Sequence, residues 1–143
     1  MKKVIIVGAG GLGRMIYSWL PDLLEEGWKP IGFLDDRLDV LNEYDYDSPI
    51  LSTIREYRPE DNHVLIMGIA DPKTKLSVGT ELVVRGASFI NFIHPTAIIG
   101  KHVQLGTGCV IGPHVVLTGV PPTKSAKHTL SKFRHNKSRV FLC

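Results

Sequence analysis

The sequence predicts an α/β protein: a small Rossmann-like parallel sheet followed by the start of a left-handed hexapeptide β-helix. Three observations carry that prediction. A short apolar run, Val4-Ile5-Ile6-Val7, ends in a glycine cluster over residues 8–13. Apolar runs then alternate with helical patterns as far as Phe92. From Ile93 onward, large aliphatic residues return every six positions.

The first strand is expected over 3–7, because an uninterrupted apolar run suits a strand buried on both faces of a parallel sheet. Residues 11–25 place Leu12, Ile16, Trp19, Leu20 and Leu23 at helical spacing. Pro21 lacks an amide hydrogen and crowds the preceding turn, so the helix should kink or end near Leu20. A second strand is expected over 30–34, closed by Asp35-Asp36. The stretch 35–50 is polar and turn-rich, and 51–57 has room for one or two helical turns. His63 to Met67 predicts a third buried strand. Pro72 behind Asp71 marks a capped helix start, running to about Arg85. Residues 88–92 predict a fourth strand. The alternation argues for a parallel sheet with helices on both faces.

The second region follows a different period. Ile93, Ile99, Leu105, Ile111 and Leu117 are spaced by six, and Ala97, Val103, Cys109 and Val115 follow four places after the first four. Glycine comes next to the aliphatic at Gly100, Gly106 and Gly112. A six-residue period marks a hexapeptide β-helix, in which one hexad forms one side of a triangular coil. The aliphatic residues should point to the coil axis, with Cys109 as core. The domain organisation expected is therefore 1–92 for the sheet unit, 93–118 for a partial coil, and 119–143 for an aperiodic basic tail expected to be disordered.

Composition narrows the function classes. With 43% hydrophobic and 22% charged residues, the chain has the makings of an ordinary packed core. No apolar run approaches the roughly 18 residues of a membrane span, and the four apolar residues after Lys3 are too few for a secretory signal. Cys109 and Cys143 show no metal-ligand spacing, so no metal site is expected and a reducing, cytoplasmic setting is. Residues 1–118 hold 11 basic and 14 acidic side chains, whereas 119–143 hold 6 basic and none acidic. The body of the chain thus gives no electrostatic reason to expect nucleic acid or a membrane as partner.

Gly8-Ala9-Gly10-Gly11-Leu12-Gly13 matches G-x-G-x-x-G between a strand and a helix, the setting in which that motif binds phosphate. Gly8 permits the tight turn, Gly10 lets a phosphate approach the backbone, and Gly13 lets the helix pack on the sheet. The first-turn amides then face diphosphate oxygens. The plainer reading is a tight turn without a ligand. Asp35 lies 22 residues after Gly13, near the spacing of a ribose-binding acid, and Asp36 adjoins it. Solvated turn residues would look the same. Gly68 and Asp71 follow the third strand on the ligand-binding edge, although a capped helix explains Asp71-Pro72 equally well. His94, His102 and His114 can each serve as acid or base; His94, before Pro95, more simply organises the entry to the coil.

Taken together, Gly-Ala-Gly-Gly-Leu-Gly-Arg at 8–14, Gly32-Phe33-Leu34-Asp35-Asp36, His94-Pro95-Thr96-Ala97 and the hexads resemble the sialic acid O-acetyltransferase and bacillosamine N-acetyltransferase group, the NeuD/PglD-like sugar acyltransferases. The resemblance covers residues 2–118. It implies an acetyl-CoA-dependent acetyltransferase acting on a nucleotide-sugar, a UDP-sugar by preference, assembled as a homotrimer with acetyl-CoA between adjacent β-helices. It implies phosphate contacts at Gly10, Gly11, Leu12 and Gly13, nucleoside contacts at Asp35 and Asp36, and a border at Gly68 and Asp71. The family's catalytic histidine, in a Gly-His-Asp or similar segment on a later coil, has no match here, so no catalytic residue is assigned. A frameshift near Gly119 is the expected cause of the lost period. A naturally shortened protein with a working basic tail is the rival. The expected chain is catalytically incomplete, and the alternative is a nucleotide-sugar or NAD binding module without transferase activity.

Overall fold

A computed structural model describes residues 1–119; the expectations about the tail beyond them lie outside the described residues. Four parallel strands form the first sheet in the order β3-β2-β1-β4: β1 is Lys2–Val7, β2 Trp28–Leu34, β3 Ile50–Ser52 and β4 His63–Met67. Val4 to Val7 are at most 1% exposed because β1 is central and both its faces are covered. Successive strand residues point to opposite faces. Val4 and Ile6 accordingly meet Ile16, Leu20 and Phe33, while Ile5 and Val7 meet Leu65, Met67 and Leu82.

Helix α1, Gly11–Trp19, covers the first face, and α2, Pro72–Val84, covers the second. Where the sequence expected a break at Pro21, α1 ends at Trp19 and continues as a 3-10 turn over Leu20–Asp22, with Pro21 in its first turn. Asp71 caps α2 by accepting from the Thr74 amide at 2.9 Å.

Two expectations are corrected. The segment 51–57 is not simply helical: Ile50–Ser52 joins the sheet as β3, and only then does the chain curl, with the Tyr57 amide donating to the Thr53 carbonyl at 3.2 Å. Apolar Ile50 and Leu51 are too short a run to reveal a strand by period. Residues 88–92 are not a full fourth strand. They give one parallel bridge, Leu65 to Phe89, before the chain leaves the sheet. Phe92 is pulled away by its amide's bond to the Cys109 carbonyl at 2.8 Å.

That bond starts the coil. β5 (Phe92–Ile93) pairs parallel with β7 (Val110–Ile111), and β6 (Ile98–Ile99) pairs parallel with β8 (Val116–Leu117). Each partner lies 18 residues on, as three hexads per turn require. Cys109 is fully buried and Ile111 nearly so, while Ile98 and Val116 point outward at 62% and 59% exposure. The aliphatic positions predicted for the axis are all at least half-buried.

Phe92 and His94 fasten coil to sheet. Phe92 belongs to the core on the α1 face, with the Trp19 ring centroid 6.1 Å from its own. His94 sits edge-on to Trp19, and its Nε2 lies 3.7 Å from an Asp22 carboxylate oxygen. The His94 Nδ1 accepts from the Thr96 amide at 3.2 Å and bonds the Thr96 hydroxyl at 2.8 Å. That hydroxyl oxygen in turn accepts from the His114 amide, one coil on, at 2.9 Å. His94 therefore ties the sheet unit to both described coils, in keeping with an entry role.

Candidate functional site

The carboxyl ends of β1, β2 and β4 meet at a cleft of about 410 Å3. This is where a parallel sheet presents its loops, and the size suits a small ligand. Of the residues singled out from the sequence, Gly8, Gly10, Gly11, Leu12, Asp35, Asp36 and Gly68 line it. Gly13 and Asp71 do not.

The glycines separate into two kinds. Gly8 has φ of +93°, and a methyl added there would meet the Ile69 side chain at 2.9 Å. A methyl on Gly13 would lie 1.9 Å from the Gly8 carbonyl oxygen, and one on Gly68 would lie 2.8 Å from the Val7 carbonyl oxygen. These three are glycine because α1, the β1 exit and the β4 exit touch backbone to backbone. Gly10 and Gly11 are different. Gly10 has ordinary extended backbone, its methyl would find nothing nearer than Arg37 Nη2 at 3.7 Å, and at Gly11 it would find nothing within 4 Å. The protein's own packing gives no reason for glycine at either place. Both line the cleft.

The amides agree. The first helical bond of α1 runs from the Arg14 amide to the Gly10 carbonyl at 3.0 Å. No side chain caps the helix, and among the described residues the amides of Gly10, Gly11, Leu12 and Gly13 have no acceptor. Open first-turn amides favour an anion. The Arg14 guanidinium braces the turn from behind, donating to the Ala9 carbonyl at 3.0 Å and lying over the Tyr44 ring.

Asp35 is placed differently from expectation. Its carboxylate is buried and accepts four hydrogen bonds, from the Ala9 amide, the Arg37 amide, and Arg37 Nε and Nη2, all at 2.9–3.0 Å. Two oxygens have about four lone pairs, so none is left for a ribose hydroxyl. Burial pushes this carboxyl up, but the Arg37 side chain and the two amides outweigh it and hold it below the usual carboxylate value. Asp35 thus sets the glycine turn and aims Arg37. Asp36 fits the expected nucleoside contact better: one oxygen accepts from the Ile54 amide at 3.0 Å, and the other has no protein donor among the described residues. One oxygen of Asp71 accepts from both the Thr74 amide and hydroxyl, which lower its pKa, so Asp71 caps the helix and lies outside the cleft lining.

Arg37 is the residue that sequence reasoning missed. Its side chain is 63% exposed, and both its grip on Asp35 and its place beside Gly10 set a cation at the cleft mouth. The available signal was its isolation: it is the one basic residue among six acidic ones between 35 and 47. Ile54, Ile69, Ala70, Thr74 and Val78 complete the walls. Among the described residues, no group of three or more His, Cys, Asp or Glu side chains converges as a metal would need, and no helix is long and apolar enough to cross a membrane.

Comparison with known proteins places these features. The acetyltransferase domain of PglB from Neisseria gonorrhoeae FA1090 superimposes with a TM-score of 0.68 at 20% identity, over 81% of this chain and 56% of that one. The same domain in complex with acetyl coenzyme A gives 0.66 at 21% identity, over 80% and 55%. PerB from Caulobacter crescentus, in complex with CoA and GDP-perosamine, gives 0.60 at 21% identity, over 82% and 57%. These likenesses establish a shared fold, and the chain spans little more than half the length of each. No curated protein sequence matches. A bacterial transferase hexapeptide model, of six repeats, matches residues 90–119. The PglD N-terminal domain model matches residues 3–82, more than half of the chain, which therefore belongs to the PglD N-terminal domain family.

Proposed function

We propose that this chain is the nucleotide-sugar-binding part of an acetyl-CoA-dependent sugar acetyltransferase, with residues 1–92 holding the nucleotide and residues 93–118 beginning the coil. The observation that carries the reading is the pair Gly10 and Gly11: unneeded by the fold, open to the cleft, with free amides beside Arg37. The amides of Gly10, Gly11 and Leu12 hold diphosphate oxygens, and Arg37 supplies the positive charge that amides alone lack. The open oxygen of Asp36 accepts from a nucleoside hydroxyl. Support for a sugar nucleotide comes from PerB, whose structure contains GDP-perosamine. A UDP-sugar remains the preferred ligand from the family resemblance.

Acetyl-CoA, when bound, supplies the activated acyl group; the PglB and PerB structures contain acetyl-CoA or CoA. The described coil does not fit a thioester site by itself. His102 and His114 are exposed, and neither has a carboxylate partner among the described residues. What residues 1–119 do is bind and orient the nucleotide, and catalysis is assigned to no residue among them. The outward pair Ile98 and Val116, stacked on adjacent coils, supports assembly through the coil as the resemblance implies, and sedimentation equilibrium measures it.

NAD is the competing ligand. It is disfavoured because a dinucleotide fold reads the ribose with an acid at the place of Asp35, and that acid is saturated here. Calorimetry of the full chain with UDP-glucose, GDP-mannose and NAD tests the proposal. The expected result is binding of a sugar nucleotide and not of NAD; the reverse order would overturn it.

A further inference from the structure

The cleft has two facing walls that are far apart in sequence. One is the N-terminal half of α2, with Thr74 and Val78; the other is the turn after β3, with Ile54. Nothing in the glycine motif or the acidic pair explains what fixes their separation. The answer lies at the opposite end of α2.

Arg85 is the residue that ends α2. Its Nη1 donates to three carbonyl oxygens of the turn after β3: Ile54 at 3.0 Å, Arg55 at 3.0 Å and Tyr57 at 2.9 Å. Its Nη2 is held by the Glu81 carboxylate one turn back on the same helix. The side chain is 21% exposed, so these bonds are partly shielded from water. A single helical turn leaves its last carbonyls unsatisfied, and a guanidinium there compensates both the bonds and the local negative charge. The same turn is fixed on its cleft side by the bond from the Ile54 amide to Asp36. The backbone of Ile54 therefore runs between Arg85 at one end and the ligand-facing Asp36 at the other.

We infer that Arg85 is a positioning residue for nucleotide binding: it bolts the Ile54 wall to α2, setting the width of the cleft and the aim of Asp36 without touching the ligand. The inference rests on the nucleotide-sugar reading above. Arg58 makes a contrasting case. Its guanidinium also bonds carbonyls of the turn, those of Arg55, Glu56 and Tyr57, but it lies next to the turn in sequence and bonds no other element among the described residues. It stiffens the turn without tying it to α2.

The test compares Arg85→Ala, Arg85→Lys and Arg58→Ala in the full chain, by calorimetry with UDP-glucose and by amide hydrogen exchange without ligand. Displacing one wall by about 1 Å should weaken UDP-glucose binding about tenfold in Arg85→Ala. The Ile54 amide should exchange faster in that variant. Arg85→Lys keeps three donors on one nitrogen and should recover most of the affinity. Arg58→Ala should bind like the wild type. A role in stability alone would lower the melting temperature of Arg85→Ala and leave affinity and Ile54 exchange where they were, and that result overturns the inference. Equal loss in Arg58→Ala overturns it too. A wild-type chain that binds neither UDP-glucose nor GDP-mannose removes instead the reading on which it rests.

Discussion

The sheet unit and the coil bury their apolar residues to very different degrees. In the sheet unit, Val4 to Val7 and Leu65 to Met67 are at most 1% exposed, covered by a helix on each face. In the coil beyond Phe92, Cys109 and Ile111 are the buried apolar residues among those described, and the other axial aliphatics are partly exposed. The cause is geometric. A parallel sheet with two helices encloses its own core, whereas each coil of a β-helix is covered only by the coils above and below it. Two coil faces pair among the described residues, through β5 with β7 and β6 with β8. The core of the sheet is thus closed by its helices together with Phe92, while the coil takes its stability from its neighbours.

The comparison is broken most directly by truncating one aliphatic in each unit. Ile66→Ala in β4 should cost about 4 kcal/mol, because a fully buried side chain leaves a cavity that two helices cannot close. Leu117→Ala in β8 should cost less, about 2 kcal/mol, since this partly exposed site loses less burial. Urea denaturation of both variants measures the difference. Equal costs would mean that the coil is as well enclosed as the sheet.

Within the glycine turn, a second pair sharpens the same contrast between folding and binding. Gly13→Ala sets a methyl 1.9 Å from the Gly8 carbonyl oxygen and should destabilise the chain by about 3 kcal/mol. Gly10→Ala meets only the tip of Arg37 and should alter stability by less than about 0.5 kcal/mol. It should nevertheless abolish measurable sugar-nucleotide binding by filling the space of a phosphate. Thermal melts and calorimetry on the two variants separate the roles; a Gly10→Ala chain that binds normally would sink the phosphate assignment.

At the junction, His94→Ala removes the acceptor for the Thr96 amide and the edge contact with Trp19. The expected loss is about 2 kcal/mol, the cost of a part-buried bond network left unsatisfied. Hydrogen exchange should locate the loss in residues 92–99 and 110–117 and leave β1 and β4 unchanged. Uniform acceleration across both units would show that they unfold as one.

How legible each unit was follows from the same physics. The period of six announced the coil and its register without ambiguity, because every repeat states the rule again. The sheet strands 3–7, 30–34 and 63–67 were legible as apolar runs. β3 was not, since Ile50-Leu51-Ser52 is three residues long and its pairing depends on β2, which no local pattern reveals. Phe89 looked like a strand residue and makes only a bridge, because the coil captures the chain at Phe92. At the cleft, the glycines and Asp35 were singled out by spacing and Asp36 by adjacency, and Gly8, Gly10, Gly11, Asp35 and Asp36 all line it. The commitment of Asp35 to Arg37 is local, but it depends on how the turn after β2 folds back on the Ala9 amide, and the reach of Arg85 to the far wall is a tertiary fact with no trace in the order of residues.

Asp35 offers the smallest effect and the finest probe. Its folded pKa lies below the ordinary carboxylate value, since burial, which raises it, is outweighed by Arg37 and the Ala9 and Arg37 amides. A depressed carboxyl contributes stability that is fully present above its unfolded pKa, about 3.9, and that fades as pH falls through its folded value. Acid below pH 4 should therefore loosen the glycine turn in the sheet unit before it affects the coil, where no carboxylate follows Glu81 in sequence. Asp35→Asn keeps the shape but cannot ionise, so its stability should vary less with pH between 4 and 2 than that of the wild type. Parallel acid titrations followed by the exchange of the Ala9 amide measure this directly. If Ala9 is protected equally at pH 5 and pH 2.5 in the wild type, the carboxylate is not what holds the turn, and the aim of Arg37 must come from elsewhere.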